Sequence, residues 1–209
     1  MMQRGALKPL EIALAIMMAA TSGAALLGHI YLGMSMSYTV TFLALPVSLL
    51  LAGAALMLRR SYHRLHLLSS RVTTGALWGL AATLAYDAVR PVLVAVFQFS
   101  YDPFRAVHIF GQLITGQPVT SVQAQAAGWL YHFWNGAGFG VMYVLVRSQG
   151  GAATGFAWGM ALQFMMLLAY PSFLQVRLDN PGFLVTSMVG HGTWGVVLGA
   201  GVARWRQDV

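Results

Sequence analysis

Six polar or ionisable side chains interrupt apolar stretches of this sequence, and their types could support binding or catalysis. Three are histidines, which near neutral pH can bind metals, exchange protons or form hydrogen bonds. In the stretch YDAVRP an aspartate precedes an arginine by three residues, so on a helix they share one face. A charged group at the centre of a bilayer costs about 3 kcal/mol on insertion scales, so such groups need partners or a function. The six residues are His29, Asp87, Arg90, His132, Asn135 and His191.

Two of the histidines have similar surroundings. His132 and His191 begin the segments HFWNGAGFG and HGTWGVVLG, which share the spacing H-x-x-x-G-x-x-x-G. Neutral imidazole is a common ligand of iron, copper and zinc. We therefore predict that this pair binds a transition metal or a haem, with His29 and Asp87 as further metal ligands. The glycine one turn after each histidine has two interpretations, a slot for a planar cofactor or a seam where helices pack closely.

Three further side chains are predicted to contact a substrate. Arg90 could bind an anionic molecule through its guanidinium group, and Asn135 follows His132 by three residues. His108 falls on a predicted surface helix above this cluster. The alternative for Asp87 and Arg90 is a structural ion pair, and the alternative for each histidine is a hydrogen bond between helices.

The composition identifies the class of protein that holds these residues. Of the 209 residues, 58% are hydrophobic and 8% are charged, whereas a soluble domain has about a quarter charged residues. The mean hydropathy of +0.67 points the same way. The sequence contains no cysteine, which excludes disulfides, thiolate metal ligands and cysteine nucleophiles. We predict an all-α integral membrane protein in contact with the lipid bilayer.

Six apolar segments are long enough to cross a bilayer, which takes about 20 residues. Short polar or glycine- and proline-containing joints separate them, so residues 1–209 are predicted to form a single membrane domain. The first segment resembles a secretory signal, but its apolar run continues through LLGHIYLGM, which favours a retained helix. The predicted spans are 10–33, 38–58, 72–97, 126–146, 152–174 and 182–203.

The distribution of positive charge predicts the orientation. The net charge of +7 would suggest nucleic-acid binding in a soluble protein. With six crossings, however, nine lysines and arginines fall on the side of the N-terminus and two on the other side. Positive residues favour cytoplasmic loops, so we predict cytoplasmic termini, a bacterial inner membrane and no nucleic-acid partner. The basic loop 59–71 is then a topology determinant at the lipid headgroups or, alternatively, a sensor of anionic lipids.

The longest connection, 98–125, contains a predicted short interfacial helix at about 102–115. Asp102 fits an N-cap, Pro103 the first helical position and Gly116 the C-terminal stop. Apolar residues recur at helical spacing on one face, as in helices that lie on a membrane surface. This helix is either a lid over a site or a cover for the ends of its neighbours.

Two parts of the sequence repeat each other. The segments TGALWGLA (74–81) and TGFAWGMA (154–161) match at five positions, and the two H-x-x-x-G-x-x-x-G segments follow them in the same order. Predicted helices 3–4 and 5–6 therefore read as a parallel hairpin repeat. Such repeats are related by an axis along the membrane normal, so His132 and His191 are predicted to occupy equivalent positions and to face each other.

Three functions are compatible with these features. The first is an outward-facing metal or haem site in a redox or hydrolytic membrane protein. The second is a transporter for a small solute such as an anion, because repeats and intramembrane charges are common in transporters. The third is a non-catalytic accessory subunit, or a homo-oligomer, that docks through glycine-rich helix faces. No familiar catalytic motif is present, so the sequence leaves enzymatic activity open.

Overall fold

Helices make up the regular structure of the residues that the computed structural model describes, namely 8–57, 63–174 and 177–205. No strand occurs in these ranges, which confirms the predicted all-α class. The helices are α1 (Pro9–Ala19), α2 (Thr21–Leu32), α3 (Met36–Thr39), α4 (Leu45–Met57), α5 (His63–Phe97), α6 (Arg105–Thr115), α7 (Val122–Val146), α8 (Ala152–Leu174) and α9 (Pro181–Trp205).

Four helical segments in the described ranges are long and apolar enough to cross a membrane. They are Met36–Ala54, His66–Phe97, Ala152–Ala169 and Pro181–Trp205. A fifth crossing results if α1 and α2 count as one bent span. The protein is therefore a multi-pass membrane protein, as the composition predicted.

The predicted fourth span, 126–146, forms α7 but is less apolar than the others. Its 25 residues are long enough to cross a bilayer. Four polar side chains lower its hydropathy, and α7 is not among the segments that pass by length and composition. The polar residues are Gln123, Gln125, His132 and Asn135. Six crossings therefore stay a prediction.

The first two predicted spans depart from a regular helix. α1 and α2 meet at Ala20 with a bend of 57°. The Thr21 hydroxyl donates to the Met18 carbonyl at 2.8 Å and competes there with the helical backbone bonds. Between α3 and α4, the π turn Val40–Ala44 ends two residues before Pro46. This proline has no N–H to donate to the carbonyl four residues earlier, which favours an irregular turn.

The helix α5 begins at His63, nine residues before its predicted start at 72. The predicted surface loop 59–71 is therefore wrong from His63 onward, while 59–62 lie outside the described residues. No glycine or proline interrupts the stretch from 63 to 71, and leucine and arginine favour helix. The 35 residues of α5 span roughly 52 Å at 1.5 Å per residue, so its ends extend beyond a hydrocarbon layer of about 30 Å.

The predicted surface helix forms, although it begins later than expected. α6 starts at Arg105, and Phe104 rather than Asp102 precedes it as the N-cap residue. The Asp102 carboxylate accepts a hydrogen bond from the Phe104 N–H at 2.8 Å, which closes a turn before the helix. Gly116 ends α6 as predicted, in the left-handed conformation with φ 70°.

Two glycine seams hold the C-terminal helices together. Between α5 and α7, a Cβ atom on Gly79 would lie 2.4 Å from the carbonyl oxygen of Gly136. Between α8 and α9, a Cβ atom on Gly155 would lie 2.1 Å from the carbonyl oxygen of Gly195. Only glycine permits backbones this close. These glycines pack within the chain, so they are not free to dock a partner subunit as predicted.

The outer surface of the bundle carries large apolar side chains. Leu168 on α8 is 83% exposed and Leu130 on α7 is 72% exposed. Extensive exposed apolar surface is unfavourable in water but is the normal surface of a protein in a bilayer. The fold is thus compatible with direct lipid contact.

Candidate functional site

The seam between α5 and α7 determines which side chains meet further along these two antiparallel helices. Thr83 lies opposite Gly136, because a Cβ atom on this glycine would be 1.9 Å from Thr83 Oγ1. One turn further along each helix come Asp87 and His132. The seam therefore brings these two side chains together, although 45 residues separate them in sequence.

The Asp87 carboxylate is bound from two sides. His132 Nε2–H donates to both carboxylate oxygens at 3.0 Å, and Arg90 Nη2 lies 2.6 Å from Oδ1. Arg90 also donates to the Pro103 carbonyl, and its guanidinium carbon lies 4.0 Å from the centre of the Tyr86 ring. The ion pair predicted as the alternative for Asp87 and Arg90 is thus present. It balances the charge of both residues.

His191 is oriented by the backbone of its own helix. Its Nδ1 lies 2.9 Å from the Ser187 carbonyl oxygen, which can only accept, so Nδ1 carries the hydrogen. The neutral ring then keeps its lone pair on Nε2. The carbonyl of His191 packs over Gly159, where a Cβ atom would lie 2.2 Å away, and this contact fixes α9 against α8 at the histidine.

Tyr86 contacts both of the histidines that the sequence paired. The centre of its ring lies 5.9 Å from that of His132 and 5.0 Å from that of His191. Gly190 makes room for the phenol, because a Cβ atom there would lie 2.7 Å from a Tyr86 ring carbon. Each histidine has its own hydrogen-bond acceptor, and the two are linked through Tyr86. Their action as a functional pair stays a prediction.

A cavity of about 340 Å³ lies beside these residues, enclosed by α2 and by α5 to α9. This volume is at the lower end of the range of about 300–1,000 Å³ that is typical of small-molecule sites. Most of the wall is apolar, as in α2 and α8, and the polar side chains come mainly from α5, α7 and α9. Four predicted site residues line the cavity, namely Arg90, His132, Asn135 and His191. Asp87 does not line it and supports two of the residues that do.

The exposed part of the cavity lining lies on α2 and α8. Nearly all of the cavity's lining residues are buried or half-buried, and the exposed ones are Ala24, Leu27 and Met165. The first two lie on α2 and the third on α8, and all three are apolar. The exposed part of the cavity lining is therefore apolar.

One end of the cavity is lined by the loop 98–104 and by the helix α6. Val107 and Phe110 line the cavity from α6 and are 2% and 4% exposed. A Cβ atom on Gly111 would lie 1.8 Å from the Ala124 carbonyl oxygen, so α6 packs directly on α7. Tyr101 completes this end, and burial raises the pKa of its phenol to about 12.

Two predicted site residues lie elsewhere. His29 Nδ1 donates to the Met34 carbonyl at 2.8 Å, and this histidine does not line the cavity. His108 lies 3.2 Å from the Asp102 carboxylate, also away from the cavity lining. Across the described ranges, no three histidine, aspartate or glutamate side chains come close enough to hold a metal ion. The predicted metal site therefore has no structural support.

The glycines beside the histidines form packing contacts. The space next to Gly136 is filled by Thr83, and the space next to Gly195 by the backbone of Gly155. Of the two interpretations of H-x-x-x-G-x-x-x-G, the structure favours the helix seam over a slot for a planar cofactor.

Several cavity residues were not predicted from the sequence. Tyr86 stands in the quoted motif YDAVRP, but tyrosines in membrane helices usually anchor the protein at the lipid interface. Thr83 accepts a hydrogen bond from Trp194 Nε1 at 3.1 Å and donates to the Gly79 carbonyl at 2.8 Å. Its position four residues before Asp87, on the same helix face, is the signal that could have identified it.

The chain matches no protein-family model, and no curated protein or solved structure shows significant similarity to it.

Proposed function

We propose that this protein binds a lipid-soluble small molecule in its intramembrane cavity. The polar part of this molecule contacts the polar residues of the cavity wall, among them His191, and its apolar part points toward the gap between α2 and α8. The observation that supports this proposal is the position of the cavity mouth. The exposed lining residues are Ala24, Leu27 and Met165, so a ligand enters from the lipid and not from water.

The proposed topology puts this cavity in the outer half of a bacterial inner membrane. α1 and α2 form one bent crossing, α3 and α4 the second, and α5, α7, α8 and α9 the remaining four. The cluster of basic residues on the N-terminal side supports cytoplasmic termini. The cavity residues Arg90 and His132 then lie toward the opposite, outer side.

The proposed hairpin repeat is supported by the seams. Gly79 meets Gly136 in the first hairpin, and Gly159 meets Gly195 at the corresponding positions of the second. The agreement is not complete. The carbonyl oxygen that contacts Gly79 belongs to Gly136, whereas the one that contacts Gly159 belongs to His191, which lies one turn before Gly195, the counterpart of Gly136. The repeat relates the helices that carry His132 and His191, and the cavity lies between its two copies.

The other predicted functions have less support. A haem between His132 and His191 would need space beside the glycines, and the helix seams fill that space. A metal ion would need a third ligand, and no third histidine, aspartate or glutamate of the described residues lies close enough. A transporter needs a path to the inner side, where the backbones of Gly75 and Gly140 touch. An accessory role for the protein is compatible with ligand binding, since the partner would use a different surface.

Photolabelling in lipid nanodiscs tests the proposed function. The probes are diazirine analogues of hexadecanol, hexadecyl methyl ether and palmitate, and peptide mass spectrometry locates the labelled sites. We expect at least one probe to label cavity peptides saturably, with competition by its unlabelled parent. Met165→Trp fills the mouth and should reduce this labelling at least about tenfold, the effect of 1.4 kcal/mol.

The matched control is Leu168→Trp on the same helix. Leu168 is 83% exposed and does not line the cavity, so labelling should stay at the level of the unmodified protein. Labelling that does not saturate with any probe, or that is equal in both tryptophan variants, overturns the proposal.

A further inference from the structure

Several polar atoms of the lining residues have hydrogen-bonding capacity that the described residues leave unused, and they include the Arg90 Nε–H donor and His132 Nδ1. Three of them carry the argument about the ligand. Asn135 Oδ1 is buried and accepts no hydrogen bond. His191 Nε2 keeps a lone pair, because its hydrogen is on Nδ1 and is given to Ser187. The Tyr86 hydroxyl makes no hydrogen bond within residues 8–57, 63–174 and 177–205. A buried acceptor without a donor costs about 1–3 kcal/mol, so a ligand that supplies the donor is favoured.

The charge of the site excludes an ionic head group. Arg90 and Asp87 are 2.6 Å apart, with side chains 7% and 11% exposed, so each is already neutralised by the other. An added carboxylate or phosphate would be an unbalanced charge in a largely apolar cavity, which is strongly unfavourable. An added ammonium group would likewise be an unbalanced charge in this cavity.

We infer that the ligand of this cavity has an uncharged hydroxyl head, as in a long-chain alcohol or a lipophilic phenol. This inference rests on the proposed function and assigns the ligand class of the same site. The hydroxyl hydrogen is donated to Asn135 Oδ1 or to His191 Nε2, and the hydroxyl oxygen accepts from Tyr86. A hydroxyl group can pair with one unused acceptor and one unused donor of the wall at the same time, whereas an ether oxygen or an ester can only accept.

The experiment compares the affinities of hexadecanol, hexadecyl methyl ether and palmitate, each measured by competition against photolabelling in nanodiscs. The three compounds share one chain length, so their affinities differ through the head group. We expect hexadecanol to bind at least about tenfold more tightly than either of the others, which corresponds to one satisfied buried acceptor.

Two variants test the assigned atoms. Asn135→Leu removes the buried acceptor and keeps the side-chain volume, so the preference for alcohol over ether should decrease. It also removes the side-chain hydrogen bond to Tyr131, so the thermal midpoint is measured alongside to show whether the variant is still folded. His191→Phe keeps a ring but has no Nε2, and it provides a second test if Asn135 is needed for folding. A preference that is unchanged in both variants overturns the assignment.

The outcomes separate the two proposals. Equal binding of all three compounds overturns the hydroxyl inference and leaves the proposed function intact. Tighter binding of palmitate overturns the charge argument in the same way. The absence of saturable binding by any compound overturns both.

Discussion

His132 donates a hydrogen bond to both carboxylate oxygens of Asp87, at 3.0 Å, from one helix of a glycine seam to the other. The same carboxylate is 2.6 Å from Arg90 Nη2. These contacts connect α5 and α7 and fix one imidazole at the cavity wall. The side chains therefore combine the structural ion pair that was the predicted alternative for Asp87 and Arg90 with a histidine positioned by the same carboxylate.

The first prediction concerns this ion pair. Asp87→Ala leaves the buried Arg90 guanidinium without its counter-charge and should destabilise the protein by about 3–5 kcal/mol. The double variant Asp87→Ala/Arg90→Met should recover much of this loss, because it also removes the unpaired charge. Thermal unfolding of the detergent-solubilised protein measures both effects.

An exposed ion pair provides the control for that experiment. Arg177 and Asp179 are 2.6 Å apart, but their side chains are 84% and 67% exposed. The Arg177 guanidinium lowers the pKa of Asp179, so any stabilisation is present above the normal aspartate pKa and is lost as the pH falls. Water and salt screen such a pair, and Asp179→Ala should leave the thermal midpoint unchanged at neutral pH. Equal effects of Asp87→Ala and Asp179→Ala would contradict the buried role of Asp87.

The second prediction concerns the seams. Gly79→Ala and Gly159→Ala each place a methyl group less than 3 Å from a backbone oxygen of the facing helix. Overpacking of this kind should cost about 1–3 kcal/mol and lower the thermal midpoint. Gly53→Ala is the matched control, because a Cβ atom there meets nothing within 4 Å. If the two hairpins are a structural repeat, the two seam variants should have similar effects; stability like that of the control in either one would refute the seam at that position.

The third prediction is a pH dependence. Burial raises the pKa of Tyr101 to about 12, whereas an exposed tyrosine in an unfolded chain ionises near pH 10. Above pH 10 the unfolded state therefore loses this proton before the folded state does, and stability falls until the pH passes about 12. The difference in phenolate absorbance between the protein and Tyr101→Phe, followed over a pH titration, measures the shift. A midpoint near pH 10 would show that Tyr101 is solvated.

The fourth prediction concerns metal content. The cofactor hypothesis predicts near-stoichiometric iron, copper or zinc that is lost in His132→Ala, with a visible absorption band if haem is bound. Because the glycine seams leave no slot and Tyr86 contacts both histidines, we expect neither stoichiometric metal nor a haem absorption band. Elemental analysis and an absorption spectrum of the purified protein decide between these outcomes. Stoichiometric metal that depends on His132 would restore the cofactor hypothesis.

The features that the sequence determined by itself are those that depend on local composition. Long apolar runs with few charges make bilayer insertion favourable whatever the tertiary packing, so the membrane class was predictable. The same holds for the stop of α6 at Gly116, because its left-handed conformation is a local backbone property. The parallel hairpin repeat, read from the repeated glycine and tryptophan positions, stays a prediction.

Only the tertiary structure decided what the polar residues do. Whether Gly136 leaves a slot or receives Thr83 depends on how closely two helices approach, which no local pattern specifies. His29 and His191 look equally promising in sequence, yet only His191 lines the cavity. A helix presents different faces to lipid, to its neighbours and to a cavity, and long-range packing determines which face each residue occupies. For this reason the histidines could be identified from the sequence, whereas their common neighbour Tyr86 and the apolar exposed part of the cavity lining could not.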